Sequence, residues 1–377
     1  MNHYDRDAYQ FDLPTNLIAQ DPHNPADQCK IMCIDTTSQK LSHNIFKNVL
    51  LSKLGSDSVI FFNNSKVLKA RIPITFWSID GELFFVRYVW DGISEFLVRP
   101  GKKCKIGTTI AIWPYQAVIK DYTKQGRLIY IDGDVYDILE HYGQMPLPPY
   151  IAYDESKSDS YQPVFADKLW SVASPTASLH FTKPLLDQLS EQWVQMHYIT
   201  LHVWLGTFKW VDVANIVDYD IHPESCEVWV WFWQILADYH LDHKHLICVG
   251  TTVCRTIETL PYVYQTLRNQ LISSMNQTAI DYRDQLSEKC VKNTPYCLNA
   301  SISGSTVYFQ TKLYITPWFQ TLILQDLITN FHLPGSSLLI LVASIMGYDL
   351  MREAYQQAIK HQYQFYSFGD AMWISRT

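Results

Sequence analysis

Hydrophobic and polar positions alternate in two different ways along this chain. Residues 1–71 mix short strands and helices, with Val59-Ile60-Phe61-Phe62 as a buried strand running into polar Asn63-Asn64-Ser65. From 72 to 144, short apolar runs are broken by turn signals at Asp80-Gly81, Asp91-Gly92, Pro100-Gly101, Gly107, Gly126 and Asp132-Gly133. Short strands between frequent turns predict an antiparallel β-barrel or sandwich. The Pro-rich run Met145–Ile151 cannot be helix interior and predicts an extended connector. Beyond it the pattern is α/β. Thr182 caps a helix with Pro184 in its first turn, and Ile199–Val203 and Leu246–Val249 read as strands. Gly250-Thr251-Thr252 opens a helix expected to run through Leu260, and 262–306 reads as helix plus a mobile loop. Leu313–Ile315 and Leu322–Thr329 are strand-like. Ser336 starts a buried helix, and Met351–His361 an amphipathic one. The expectation is a discontinuous α/β domain, 1–71 with 145–377, and an inserted all-β domain, 72–144.

Composition narrows the function classes. Thirty Lys+Arg against 37 Asp+Glu leave a net charge of −7, so nucleic acid can be bound only through local basic patches. The charged N-terminus lacks a secretory apolar run, and the apolar stretch at 336–347 is too short to span a bilayer. A cytoplasmic protein with no membrane partner is expected. The eight cysteines contain no CxxC and read as free thiols. Gly is scarce, at 14 of 377 residues, and Trp abundant, at 12.

Four segments set polar residues against apolar runs: Ser174–Thr182, Thr200–Phe208, Val249–Thr252 with Arg255 and Glu258 beyond, and Thr329–Ser336. Three are turns entering helices of an α/β layer, where ligands gather at the carboxyl ends of strands. Each alone is weak, because a single His beside a strand is more often a satisfied core residue; recurrence is the signal. His240, Asp242, His243 and His245 imitate a metal cluster but read as a helix end running into a strand, so no metal is expected. Trp229, Trp231 and Trp233 read as packing. Arg99, Lys102, Lys103 and Lys105 form the densest basic run, either hairpin decoration or a phosphate contact.

The motifs together resemble a known family. They are FDLP at 11–14, LIAQ at 17–20, FNNSKVLKAR at 62–71, MPLPPYI at 145–151, YQPVFA at 161–166 and SPTASLHF at 174–181. TLHV at 200–203, GTF at 206–208, HPE at 222–224, VGTT at 249–252, TNFHLP at 329–334 and FGDAM at 368–372 complete the set. In this order, over nearly the whole chain, they resemble the S-adenosylmethionine:tRNA ribosyltransferase-isomerases of queuosine biosynthesis. The resemblance implies an α/β main domain with an inserted antiparallel β-barrel. It also implies a reaction in which S-adenosylmethionine donates its ribosyl group to 7-aminomethyl-7-deazaguanine at the tRNA wobble position. Epoxyqueuosine-tRNA, adenine and methionine are the products. The sulfonium acidifies the adjacent C5′ protons, so a weak base can start the reaction. On that basis His180, His202, His222 and His332 are candidates for proton transfer, and Glu224 and Asp370 for receiving a proton or balancing the sulfonium. Pro175, Thr176, Thr207, Phe208, Gly250, Thr251, Thr252, Arg255 and Asn330 are expected to bind the donor. Asn63, Asn64, Lys66 and Arg71, with Arg99, Lys102, Lys103 and Lys105, are expected on the tRNA side. A monomer is expected.

The chain departs from the family pattern at informative places. A usual early Arg is missing near Ala26, Tyr219 replaces a His, and Leu322 a Lys. Trp170, Trp193, Trp204 and Trp318 stand where the family has glycines, and Ser178 at a fifth. Two explanations stay open. One is a homologue that binds tRNA or S-adenosylmethionine without turnover; the other is a UGA codon read as Trp where the organism reads Gly. An unrelated metal hydrolase built on the 240–245 histidines is a third class, with bound zinc as its signature.

Overall fold

The structure is a computed structural model describing residues 3–76, 79–124, 126–204, 210–291 and 294–376. The chain divides into two compact units, Met1–Ser65 with Ser160–Lys168 and Ser174–Thr377, and Lys66–Asp159 with Leu169–Ala173.

The first unit is α/β around a mixed sheet of ten described strands. Their order is Cys297–Ser303, Thr306–Thr311, Glu224–Trp229, Gln195–His202, Ser58–Asn63, His245–Val249, Asp326–Asn330, Ala371–Ser375, Lys30–Asp35 and Lys40–Ile45. The four in the middle, from Gln195–His202 to Asp326–Asn330, run parallel. Strand Gln195–His202 is buried only in its second half, whereas Ser58–Asn63, His245–Val249 and Asp326–Asn330 are short and apolar at their centres because both faces are covered. Alternate residues show it: Ile60, Phe62, Ile247 and Val249 join Phe46, Leu50, Leu185 and Leu189 in a buried cluster under helices Phe46–Lys53 and Lys183–Glu191. The long helix Thr251–Leu271 packs against strands Gln195–His202, Ser58–Asn63 and His245–Val249.

The second unit is a nearly closed antiparallel barrel. Its strands are ordered Arg71–Phe76, Ile79–Trp90, Ile93–Arg99, Arg127–Ile131, Tyr115–Tyr122 and Thr109–Ile112, and the first and last approach one another. This is the all-β module that the turn spacing predicts, so the fold class is α/β with an inserted antiparallel barrel.

Several local expectations are corrected. The helix from Thr251 does not stop at Leu260 but carries Pro261 inside it to Leu271, because its flank is buried and tertiary packing overrides the proline. Residues 262–306 hold a second helix, Gln277–Glu288, and the edge strand Cys297–Ser303. Leu313–Ile315 lies outside the strands. Of the three clustered tryptophans only Trp233 is buried; Trp229 and Trp231 stack on each other at 6.4 Å on the surface. All eight cysteines are free.

Helix Lys183–Glu191 begins where Thr182 Oγ1 accepts the Leu185 N–H at 3.3 Å. It ends with the Val194 N–H bonded to Leu189 O and the Trp193 N–H bonded to Ser190 O, at 3.1 and 3.0 Å. That pair of bonds is a Schellman closure, and Trp193 holds its left-handed position at φ 63°. An L-residue there costs about 1–2 kcal/mol, which glycine avoids. Trp193 is 79% exposed and loses little packing when removed. Trp193→Gly is therefore expected to stabilise the protein by about 1 kcal/mol, read as a higher urea midpoint.

Candidate active site

Four adjacent parallel strands end together, and their last residues are Asn63, His202, Val249 and Asn330. Asn63 is fully buried. Its Oδ1 accepts the Leu201 and Ser65 N–H groups, both at 3.1 Å, and its Nδ2 donates to Leu201 O at 2.9 Å and Thr252 Oγ1 at 3.3 Å. The side chain continues the hydrogen-bond ladder past the end of its own strand. This corrects the tRNA-side expectation for Asn63, which has no surface to offer. Asn64, half-buried, accepts the Thr200 hydroxyl at 2.7 Å. Gly250 turns the chain from strand to helix at φ 91°, a left-handed conformation that suits glycine. A Cβ there would sit 3.7 Å from that of Ala177, so the 174–181 turn lies close against it. Thr251 and Thr252 follow as the first helical residues, both buried.

The second group centres on His180, at the end of the 3-10 turn Thr176–His180 that follows Pro175. Its Nδ1 lies 3.2 Å from Cys29 Sγ. Ser178 Oγ is buried without a partner among the described residues, and the Asn330 side chain interacts with the His180 ring. Asn330 Nδ2 donates to Tyr366 O at 2.8 Å. Burial lowers the His180 pKa to about 4 although Asp370 opposes the shift, and burial pushes the Cys29 thiol up. Both are neutral at pH 7. Asp370 is buried and structural as well as charged: it accepts the Lys30 and Gln364 N–H groups, each at 2.7 Å, and faces His23 at 3.2 Å. His332 is wholly enclosed, its Nε2 2.9 Å from Thr329 Oγ1, and burial takes its pKa to about 3. His202 Nε2 meets Glu227 at 3.2 Å; that bond holds the Glu227 carboxyl below its usual range.

A third group lines a small cavity of about 20 Å³ in the first unit: Trp204, His222, Glu224, Arg255, Tyr314 and Ser337, with aliphatic walls. Arg255 is buried and pairs through Nη1 with Glu224, while its Nε donates to Leu313 O at 2.9 Å. Arg255 Nη2 and Tyr314 Oη are buried without partners among the described residues. Tyr314 was not legible as a site residue; the signal available was its alternation with buried Leu313 and Ile315. Cys29 was missed too, since nothing local links it to residue 180. Glu258, one helical turn past Arg255, has a different task. Its carboxylate accepts three consecutive N–H groups, from Leu322, Ile323 and Leu324, at 2.7, 2.9 and 2.6 Å.

Thr207 and Phe208 lie outside the described residues. Lys66, Arg71, Arg99, Lys102, Lys103 and Lys105 belong to the second unit. Arg71 and Arg99 share Glu82 at 3.2 and 3.3 Å, and Lys66, Lys102, Lys103 and Lys105 are exposed. The 240–245 histidines do not converge: His240 stacks on Tyr282 and His245 pairs with Asp326 at 3.1 Å. Among the described residues no three His, Cys, Asp or Glu side chains could hold a metal ion. No helix there is long and apolar enough to cross a membrane.

Polar side chains collected at the carboxyl ends of parallel strands, beside a helix N-terminus, stand where α/β proteins commonly gather ligands. Residues 6–374 match the family described as queuosine biosynthesis protein, and the chain belongs to that family. Proteins named S-adenosylmethionine:tRNA ribosyltransferase-isomerase are similar to it over nearly their whole length. The one from Lachnoclostridium phytofermentans is 35% identical over 97% of this chain and 96% of its own. The one from Halothermothrix orenii is 34% identical over 98% and 99%. The crystal structure of an S-adenosylmethionine tRNA ribosyltransferase from Thermotoga maritima superposes with a TM-score of 0.51 at 27% identity, covering 97% of this chain and 99% of that one.

The two depressed histidines set a pH dependence. Unfolded, each ring titrates near pH ~6.5; folded, His180 does so at about 4. The unfolded state therefore takes up more protons below ~6.5, and stability present above that pH is lost as pH falls toward 4. Urea midpoints are expected to drop between about pH 7 and about pH 5, and His180→Gln to flatten that fall.

Proposed function

We propose that this protein transfers and isomerises the ribosyl group of S-adenosylmethionine onto 7-aminomethyl-7-deazaguanine at the wobble position of tRNA. Epoxyqueuosine-tRNA forms, and adenine and methionine leave. The observation that carries this reading, given the family, is the buried and neutral His180, whose ring faces the Asn330 side chain near the ends of the central strands. A neutral imidazole can take a proton from C5′, whose acidity the sulfonium supplies. Cys29 on Nδ1 fixes the ring's orientation, and the Asp370 carboxylate beside it favours the imidazolium once formed. His332 is less suited, because its Nε2 is engaged by Thr329. His202 and His222 are the remaining groups for protonating adenine as it departs. Thr176, Thr207, Thr251, Thr252 and Asn330 suit the ribose hydroxyls. The exposed lysines 102, 103 and 105, with Lys66, Arg71 and Arg99, suit tRNA phosphates. A tRNA substrate fits a cytoplasmic protein, and the steps above invoke neither a metal nor a second subunit.

A second reading, binding without turnover, is favoured by Trp204, which lines the cavity where relatives are expected to carry glycine. Incubation with S-adenosylmethionine and the deazaguanine-bearing tRNA separates the two: adenine is released or it is not. His180→Ala, His202→Ala and Arg255→Ala are each expected to cut adenine release about 100-fold or more. Full activity in all three sinks the assignment.

A further inference from the structure

The cavity beside Trp204 contains a charge arrangement that the reaction outline does not use. Arg255 has three nitrogen positions and commits two, Nη1 to Glu224 and Nε to Leu313 O. Its Nη2 and the Tyr314 hydroxyl are left without partners among the described residues, both shielded from water. A guanidinium only donates, and an unmet buried donor costs about 1–3 kcal/mol, so both groups call for an acceptor. A carboxylate or a phosphate would serve. Glu224 decides between them: an acidic side chain already paired to Arg255 disfavours a dianion beside it. The ligand group that satisfies both unmet donors is a single carboxylate. Ile221, Ile315, Leu338 and Leu341 add apolar wall for an aliphatic chain.

We propose that Tyr314 Oη and Arg255 Nη2 seat the carboxylate of the methionine portion of S-adenosylmethionine. Tyr314 is thus a substrate-binding residue that sets donor specificity. The proposal rests on S-adenosylmethionine being the substrate, and its test separates the two claims. Binding of S-adenosylmethionine and of its decarboxylated analogue is measured by calorimetry on the full chain, with Trp204 and with W204G. The intact donor is expected to bind at least ~10-fold more tightly, and Tyr314→Phe to lose most of that preference, with KM raised and kcat little changed. On the unaltered chain, methionine should compete with the donor at least ~10-fold better than methioninol, which lacks the carboxylate. Equal competition, or a preference untouched by Tyr314→Phe in a folded variant, overturns the seat alone. No binding of S-adenosylmethionine to either form overturns the substrate reading and the seat with it.

A different observation carries a second inference. Trp193 at φ 63° closes a Schellman motif, and Trp170 has φ 130°; both are in the range that favours glycine, and both are exposed. Both also fall where the family pattern has glycine. We infer that positions 170 and 193 are glycine in the polypeptide the organism makes, their UGA codons being read as glycine. Peptide masses of the protein isolated from its native source should show glycine at 170 and 193. Tryptophan there, or UGG codons at these positions, overturns the inference.

Discussion

Everything at the strand ends depends on one amide. Where strand Ser58–Asn63 stops, the Asn63 side chain bonds to both the N–H and the C=O of Leu201 and also reaches Thr252 and Ser65. Two neighbouring elements are thereby held in register beyond the last backbone bond of the strand between them. Without this amide, the buried N–H and C=O of Leu201 and the N–H of Ser65 would lose their acceptor or donor in a region with little water to replace it. The strand ends are thus satisfied by a side chain that no ligand must supply.

The three groups of side chains differ in electrostatic character, which sorts them by task. His180 is neutral through burial, with a neutral thiol on one nitrogen and a carboxylate nearby. That is the environment of a group that changes charge during a reaction. Arg255 and Glu224 form a buried ion pair, which suits recognition. The lysines at 102, 103 and 105 stand in water, where a charge contributes mainly through long-range attraction to phosphates.

Much of this was legible in the sequence, for identifiable reasons. The barrel announced itself because each turn needs Gly, Pro or Asp at fixed places. The central strands did so because double burial demands apolar centres. The Thr182 cap and the buried helix after Ser336 follow from purely local chemistry. What could not be read depends on distant partners. The helix through Pro261 persists because burial compensates a local penalty. Asn63, placed by its polar neighbours at a domain rim, proves to be a buried bridge, since its four partners lie at residues 65, 201 and 252. Cys29 meets His180 across 151 residues of chain, a pairing that local pattern does not encode.

The Glu258 carboxylate bears on how the chain can vary in length. By gripping three successive amides at 322–324, it sets where strand Asp326–Asn330 begins from the helix side rather than from the segment that precedes it. The stretch between Leu271 and Thr321 is thereby bounded at both ends, and within it Leu313 and Tyr314 reach the Arg255 cavity. Changes of length fit best before strand Cys297–Ser303, around helix Gln277–Glu288, where the strand carrying Asn330 keeps its register.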